Sequence, residues 1–505
     1  MGLDAKHPSY VANVDKWIKN RDVYNGSEHI KEKETTYLPA TSGMELDGMK
    51  EGQAGRKAYE RYIDRAEFPE IYREGVDMLV GMMHRKPADI KLPAKLEFLR
   101  EKATITGESL DLLLRRINME QLCPGRLGIL LDFNVVKNVP VPYLSLYYAE
   151  AIPNWDESND YNGQNKLQFV QLNESGYYRE EFEWKERTQY RILQLGNSID
   201  ESEEDQVERV MFGVFKEDGG GQPTYVPSDM QEYLVLGQPL FDIPFTFINS
   251  RDLLAEPDVP PLNGLANLSL TIYKGEADYR QTLFQQSQET LVVIGSIRNP
   301  DGVEGEDDAI RVGTGSRIDV DQGGDAKYIG VSGAGLSEQR TALENDYKRA
   351  KEMAGQLNTN GSNTESGEAL KVRVSAQTAN LVQIALAGAK GLETILKMCA
   401  TALGANPDEV KVDPNLEFSS ASFNAQELAQ YMAARNMGVP LSLESIHALL
   451  VDKGITKLDF RTEKRKYDKE MESAGFGLTG TGTDHNHNEE LDENGNPIKK
   501  EVEDE

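Results

Sequence analysis

Apolar positions along the chain change their spacing several times, and each change marks an element. Over residues 52–86, Tyr59, Tyr62, Ile63 and Ala66 recur at helical spacing, and Ile71, Val76, Leu79, Val80 and Met83 continue it beyond Pro69. That spacing collects them on one helical face, so one or two helices are predicted, stopped by Lys86-Pro87. Leu110, Leu113, Leu114, Ile117 and Leu122 form a further stripe, with Ser109 near its start and Cys123-Pro124-Gly125 breaking it. Upstream, residues 15–22 predict a short helix around Trp17. Tyr24-Asn25-Gly26 and Tyr37-Leu38-Pro39 predict turn and extended chain, and Ile90-Lys91-Leu92-Pro93 is extended too.

Between 127 and 250 the apolar runs shorten to strand length. Residues 127–133 are a buried run, and 167–172, 189–195, 210–215 and 232–236 predict strands of a mainly antiparallel sheet. The acidic segment 200–205 and the glycine run 219–221 read as hairpin loops. Pro257, Pro260, Pro261 and Gly264 mark a linker or a sharp entry into a helix, and helical character resumes over 265–290 through Leu268, Ile272, Tyr279, Leu283 and Phe284. Residues 291–332 then predict a small β insert. Its strands fall near 291–294, 310–312, 318–320 and 327–331, separated by glycines that include Gly313, Gly315, Gly323 and Gly324. Asn299-Pro300-Asp301-Gly302 is a turn signal, followed by the acidic cluster Glu304, Glu306, Asp307 and Asp308.

Helix returns over 336–353, with Leu336, Leu343, Tyr347 and Ala350 on one side. Residues 355–368 are polar with almost no apolar anchor, so a flexible loop is predicted. A long helix over 369–403, rich in aliphatic and small residues, ends at Gly404 and Pro407. A strand pair around 410–418 and two short helices, 424–435 and 443–451, complete the ordered part, with Ser442 as N-cap of the second helix.

Composition narrows what such a chain does. Its 505 residues exceed one ordinary core, so several structural units are expected, and 39 % apolar residues suffice to fill them. A net charge of −29 disfavours tight, static DNA binding, because phosphate neutralisation drives that affinity. It suits a self-repelling surface, or one that must not stick to nucleic acid passing nearby. From Asp484 onward nine acidic residues face two basic ones, and the tail from 476 is expected to be disordered. Cys123 and Cys399 form neither a disulfide framework nor a metal-binding pair, which fits a reducing compartment. The N-terminus lacks an apolar secretion core, and no run reaches the roughly 18 apolar residues of a membrane span.

Chemistry-bearing motifs are absent. There is no phosphate-binding GxxxxGK[ST], no GxSxG and no HExxH. The acidic clusters read as solvated loops, Glu51, Glu60 and Asp64 as surface charges, and His485-Asn486-His487 offers too few ligands for a closed metal site. No catalytic residue, metal or cofactor is expected, and the chain is expected not to be an enzyme.

The order of elements over 265–403 carries more information than any one residue. Helix, small glycine-rich β insert, helix, polar loop and long helix, followed by strand and helical cap, resembles the bacteriophage portal family, the head-to-tail connectors of tailed double-stranded DNA phages. Shorter phrases are similar to one branch of that family. They are Arg65-Ala66-Glu67-Phe68 and Leu79-Val80-Gly81-Met82 before Arg85-Lys86-Pro87, then Gly128-Ile129-Leu130-Leu131-Asp132, and Pro260-Pro261-Leu262 with Leu265-Ala266-Asn267 and Tyr273. The resemblance spans roughly residues 10–475.

It implies an α+β portal fold with an α/β wing, a two-helix stem, a small β-rich clip insert and a helical crown. The boundaries would be wing 1–264, stem helices 265–290 and 333–354, clip 291–332, tunnel loop 355–368, long wing helix 369–407, C-terminal wing strand and crown 408–475, and acidic tail 476–505. It implies a homo-oligomeric ring, of 12 subunits in the family's manner, at one capsid vertex. Double-stranded DNA would be packaged through it by the terminase motor and later ejected, without sequence reading. The partners would be the terminase large subunit, a head-completion or tail adaptor, and the major capsid and scaffolding proteins, in a virion assembled in the host cytoplasm, with no membrane.

Under that resemblance Arg340, Lys348, Lys351, Asn358, Thr359, Asn360, Ser362 and Asn363 would line the channel. Arg298, Asp301, Glu304, Glu306, Asp307, Arg311 and Arg317 would form the clip surface for terminase or adaptor. Lys348, Arg349 and Lys351 have two readings: transient phosphate contacts, or pairing with Glu344, Asp346 and Glu352 on the same helix. The small residues Ala376, Ala379, Ala385, Ala387, Gly388 and Ala389 would let the long helix pack closely, against neighbouring subunits or within its own core. Two other readings compete with the portal: another ring-forming head–tail adaptor or structural head protein, and a nuclease using Glu306 and Asp307.

Overall fold

Helix α1 (Pro8–Asn25) starts with proline at its first position, where a missing N–H costs nothing, and the His7 ring accepts a hydrogen bond from the Ser9 N–H at 3.2 Å. It is much longer than the short segment predicted around Trp17. Helices α2 (Ser27–Glu32), α3 (Ser42–Leu46), α4 (Ala54–Arg65) and α5 (Ile71–Met83) follow. The last two fall where the apolar spacing placed them. After strand β1 (Asp89–Lys91), α6 (Leu110–Leu122) is capped by Ser109, whose hydroxyl accepts from the Leu112 N–H at 3.3 Å.

The strand region contains β2 (Arg126–Val136), β3 (Val139–Tyr148), β4 (Asn154–Asn159), β5 (Asn165–Asn173), β6 (Gly176–Glu180), β7 (Glu183–Arg187), β8 (Gln189–Asn197) and β9 (Glu208–Lys216). The short β10 (Gln231–Glu232), β11 (Leu234–Val235) and β12 (Gln238–Pro239) precede β13 (Phe245–Asn249). Then come α7 (Asn263–Gln286), β14 (Thr290–Ser296), β15 (Val320–Ile329), α8 (Leu336–Met353), α9 (Gly367–Ala402), β16 (Lys411–Asp413), α10 (Ala425–Asn436), α11 (Leu443–Asp452) and α12 (Phe460–Ser473). This computed structural model describes residues 3–136, 139–159, 165–197, 208–217, 223–287, 290–296, 320–329, 335–355, 367–418, 425–452, 455–456 and 458–473. The fold class is α+β, in two units, 1–419 and 420–505.

In the larger unit every strand pair is antiparallel. One sheet has the order β10-β9-β8-β5-β4 and a second the order β13-β2-β3. Trp155, Val170, Leu172, Leu193 and Val210 of the first share a core with Leu130, Phe245 and Phe247 of the second. Arg126 is buried in it, its guanidinium 4.4 Å from the Trp155 ring and 4.2 Å from the Phe247 ring, while one nitrogen donates to the Ala255 carbonyl. Burial holds its pKa below the usual arginine value.

Helix α9 ties two cores together. Leu381, Ile384 and Ala385 join a helical core with Tyr62, Tyr72, Leu270, Tyr273 and Leu343. Further along, Ala389, Leu392, Ile395, Leu396 and Cys399 join a core with Leu110, Leu113, Ile117, Ile129 and Val412. Each of the leucines and isoleucines among them contributes about 1.5–3 kcal/mol on burial. The helices cross at a polar junction. His84 lies 2.8 Å from the Asn118 amide oxygen, Asn118 donates to Gln121 at 2.8 Å, and Gln121 donates to the Asn249 carbonyl at 2.8 Å. Gly388 of α9 faces this chain of amides, and a Cβ there would stand 2.5 Å from Gln121 Oε1 and 2.6 Å from Asn118 Nδ2.

The small residues of α9 therefore serve its own core: Ala385, Ala387, Gly388 and Ala389 are buried within the chain, while Ala379 is exposed and the Ala376 side chain lies outside the described residues. Among the described residues 408–418 there is one strand rather than a strand pair. That strand, β16, pairs with β1, with Ile90 opposite Val412. The smaller unit holds α10 and α11, with the predicted Ser442 cap accepting from the Ser445 N–H at 3.0 Å, and a further helix, α12, whose mostly charged sequence hid it.

Candidate functional site

Burial falls along α7. Leu265, Ala266, Leu270, Ile272, Tyr273 and Ala277 are buried, whereas Leu283, Phe284 and Gln285 are exposed. The helix therefore starts in the core and runs out of it. Its outer half is braced from the side by α4 and the turn after it. Tyr62 donates to Asp278 at 2.6 Å, Arg280 bridges Glu276 and Glu67, and the Arg65 guanidinium lies 4.2 Å from the Phe284 ring. Burial, and then the Asp278 carboxylate that accepts its hydrogen bond, pushes the Tyr62 phenol well above its usual pKa.

Beyond α7 the chain turns through β14 and β15, antiparallel with Thr290 opposite Ile329 and a bulge between Ile294 and Ser296. Strand β15 runs unbroken through Gly323 and Gly324, where glycine-separated shorter strands were predicted. It returns into α8, which packs back against α7. The approach is close because Gly275 gives room: a Cβ there would stand 2.9 Å from Leu343 Cδ2. Where α8 ends, the Ala354 methyl fits against Gly75 of α5. Leu343 and Ala350 are the buried residues of α8, so most of its surface is uncovered.

That surface carries the three predicted channel residues the structure describes. Arg340 is exposed and pairs with Glu344 at 2.8 Å. Lys348, Arg349 and Lys351 are exposed, and among the described residues no carboxylate pairs with them. The remaining predicted residues, Asn358, Thr359, Asn360, Ser362 and Asn363 of the polar loop and Arg298, Asp301, Glu304, Glu306, Asp307, Arg311 and Arg317 of the insert, lie outside the described residues, as do the predicted strand near 310–312 and the tail from 476.

Among the described residues no cluster of three or more His, Cys, Asp or Glu is placed to hold a metal ion. Cys399 is buried, and burial pushes its thiol up to about 12, far from a reactive thiolate. Also among the described residues, no helix is long and apolar enough to cross a membrane.

A family model described as a domain of unknown function (DUF4055) matches residues 261–401, the stretch from α7 through α9. No curated protein matches the chain. Among solved structures, the chain is similar to one in "Neck of empty GTA particle computed with C6 symmetry", at 14 % identity over 76 % of this chain and 90 % of that one, with a TM-score of 0.38. It is similar also to one in "Neck of native GTA particle computed with C12 symmetry", at 13 % identity over 75 % and 89 % of the two chains, with a TM-score of 0.38.

Proposed function

We propose that this chain is a phage portal subunit, one copy of a ring at a capsid vertex. Through that ring a terminase motor packages double-stranded DNA, and by the same route the genome leaves. The observation that carries the reading is the α7–β14–β15–α8 excursion. Two antiparallel helices, joined at their far end by a β-hairpin, leave a core to which α9 then returns, and they expose a face with three unpaired cations among the described residues. In a ring, α7 and α8 are the stem and the β insert is the clip that meets terminase and later the head-completion or tail adaptor. As part of this proposal, the polar loop predicted over 355–368 is assigned to the lining of the DNA path.

A net charge of −29 with a few local cations suits a conduit in which DNA slides: phosphate contacts form and exchange, and no base edge is read. The chain acts without a cofactor and catalyses nothing itself; the work of packaging belongs to the motor. Capsid and scaffolding proteins seat the ring in a virion assembled in the host cytoplasm. The test is deletion of residues 358–366. Rings should still assemble, while terminase-driven packaging or retention of DNA falls. Loss of the rings would mean that this segment is a structural part and not a channel lining.

A further inference from the structure

Strands β6 and β7 form a two-stranded hairpin, Gly176 opposite Arg187 and Glu180 opposite Glu183, that prolongs β5 and β8 beyond the five-stranded sheet. Two strands alone are marginal in water. The root of this arm is nevertheless fixed: the Glu174 carboxylate accepts from Tyr147 at 2.6 Å, Arg191 at 2.7 Å and Gln189 at 2.7 Å. One face of the arm satisfies itself, with Lys185 paired to Glu180 and the Arg187 guanidinium 5.0 Å from the Tyr178 ring. The other face carries Tyr177 and Trp184, and Phe182 stands at the turn. Phe182 is 97 % and Trp184 68 % exposed. Aromatic side chains each bury about 150–250 Å² in a good contact, so an arm fixed at its root and presenting three of them to water suits such a contact.

A cleft of about 690 Å³ opens between the last turns of α9 and the β11–β12 loop, lined by Leu131, Leu236, Leu240, Phe241, Met398 and Leu403. Leu236 at its mouth has φ +52° and is 59 % exposed, a strained conformation for a branched side chain that places it toward solvent. Lys397, held by Glu393 at 2.7 Å, lines the same cleft, and Lys95 sits at its edge, donating to the Leu403 and Gly404 carbonyls. The arm tip carries Glu181 and Glu183 beside Glu180, which Lys185 holds. Asp242 on the rim is already held by Lys166 at 2.9 Å.

Strand β5 relates the two features. Near its start, Lys166 touches the cleft rim through the Phe241 carbonyl; from its end the arm departs. Its nine residues span roughly 30 Å at about 3.3 Å each, so the arm points away from its own cleft. A protrusion and a matching recess at opposite ends of one sheet make a heterologous, head-to-tail contact. We propose that the aromatic tip of this arm docks in the α9–β11–β12 cleft of a second copy of this chain. Under the ring reading above, on which closure of the series rests, this contact joins neighbouring subunits.

The full-length chain carrying Phe182→Cys and Leu236→Cys together tests this under mild oxidation, since Cys123 and Cys399 are buried. A ladder of disulfide-linked multimers is expected from the double variant and from neither single variant. Phe182→Ala/Trp184→Ala should weaken self-association about tenfold or more by sedimentation at an unchanged melting temperature. Closed rings with no ladder, and undiminished association of the alanine variant, overturn the arm contact and leave the ring intact. A ladder from open chains that never close keeps the contact and removes the ring.

Discussion

Gly388→Ala separates two opposed effects at the crossing of α9 with α6. Alanine in a helix interior is favoured over glycine by about 1 kcal/mol, so propensity alone predicts a more stable protein. The added methyl, however, would lie 2.5 Å from Gln121 Oε1 and 2.6 Å from Asn118 Nδ2, and both groups are buried in the chain of hydrogen bonds from His84 to Asn249. Moving the amides breaks bonds that no water replaces, and each buried polar group left unpaired costs about 1–3 kcal/mol. With two groups displaced, the net effect is destabilisation by about 1–5 kcal/mol. Gly81→Ala is the control: Gly81 is exposed in α5 and nothing stands within 4 Å of its Cβ position, so that variant should gain about 0.5–1 kcal/mol. Calorimetric melting of both variants reads the two signs. If Gly388→Ala melts as high as Gly81→Ala, the junction yields without cost and the reasoning is wrong.

Two further outcomes follow from single sites. The Glu393 carboxylate is partly buried, which alone would raise its pKa. Hydrogen bonds from Lys397, Lys390 and the Val412 N–H outweigh that and hold it at about 2, against 4.5 ordinarily. A depressed carboxylate stabilises the fold above its unfolded value and loses that contribution as pH falls from about 4.5 toward 2. Glu393→Gln should therefore melt lower than the parent at pH 7 and approach it near pH 3; a gap that does not narrow contradicts the assignment. Neutralising Lys348, Arg349 and Lys351 together to Gln should leave melting and self-association unchanged and lower DNA retention in packaging assays, whereas a fall in melting temperature would give those cations a structural role.

Much of the helical architecture is legible in the sequence, because apolar spacing and caps are local. Helix α6 begins at the Ser109 cap, and α8 occupies the residues its stripe of Leu336, Leu343, Tyr347 and Ala350 indicated. Strands fared less well for physical reasons. Pro140 and Pro142 conceal β3, which tolerates them because it is an edge strand of its sheet. All five residues of β13 are buried, so it has no alternation to read. The pairing of β1 with β16 joins distant parts of the chain through three residues each. As for the candidate site, α7, α8 and the positions of Arg340, Lys348 and Lys351 were readable. The aromatic arm was not, because Gly176–Arg187 alternates charged with aromatic residues and resembles a polar loop until its exposure is seen.

The central claim is that this chain closes into a ring around a DNA path. Electron microscopy of the purified full-length protein, with native mass measurement on the same sample, tests it most directly. The account predicts closed rings of one subunit number with a central hole wide enough for a DNA duplex. A protein that remains monomeric at high concentration would contradict it.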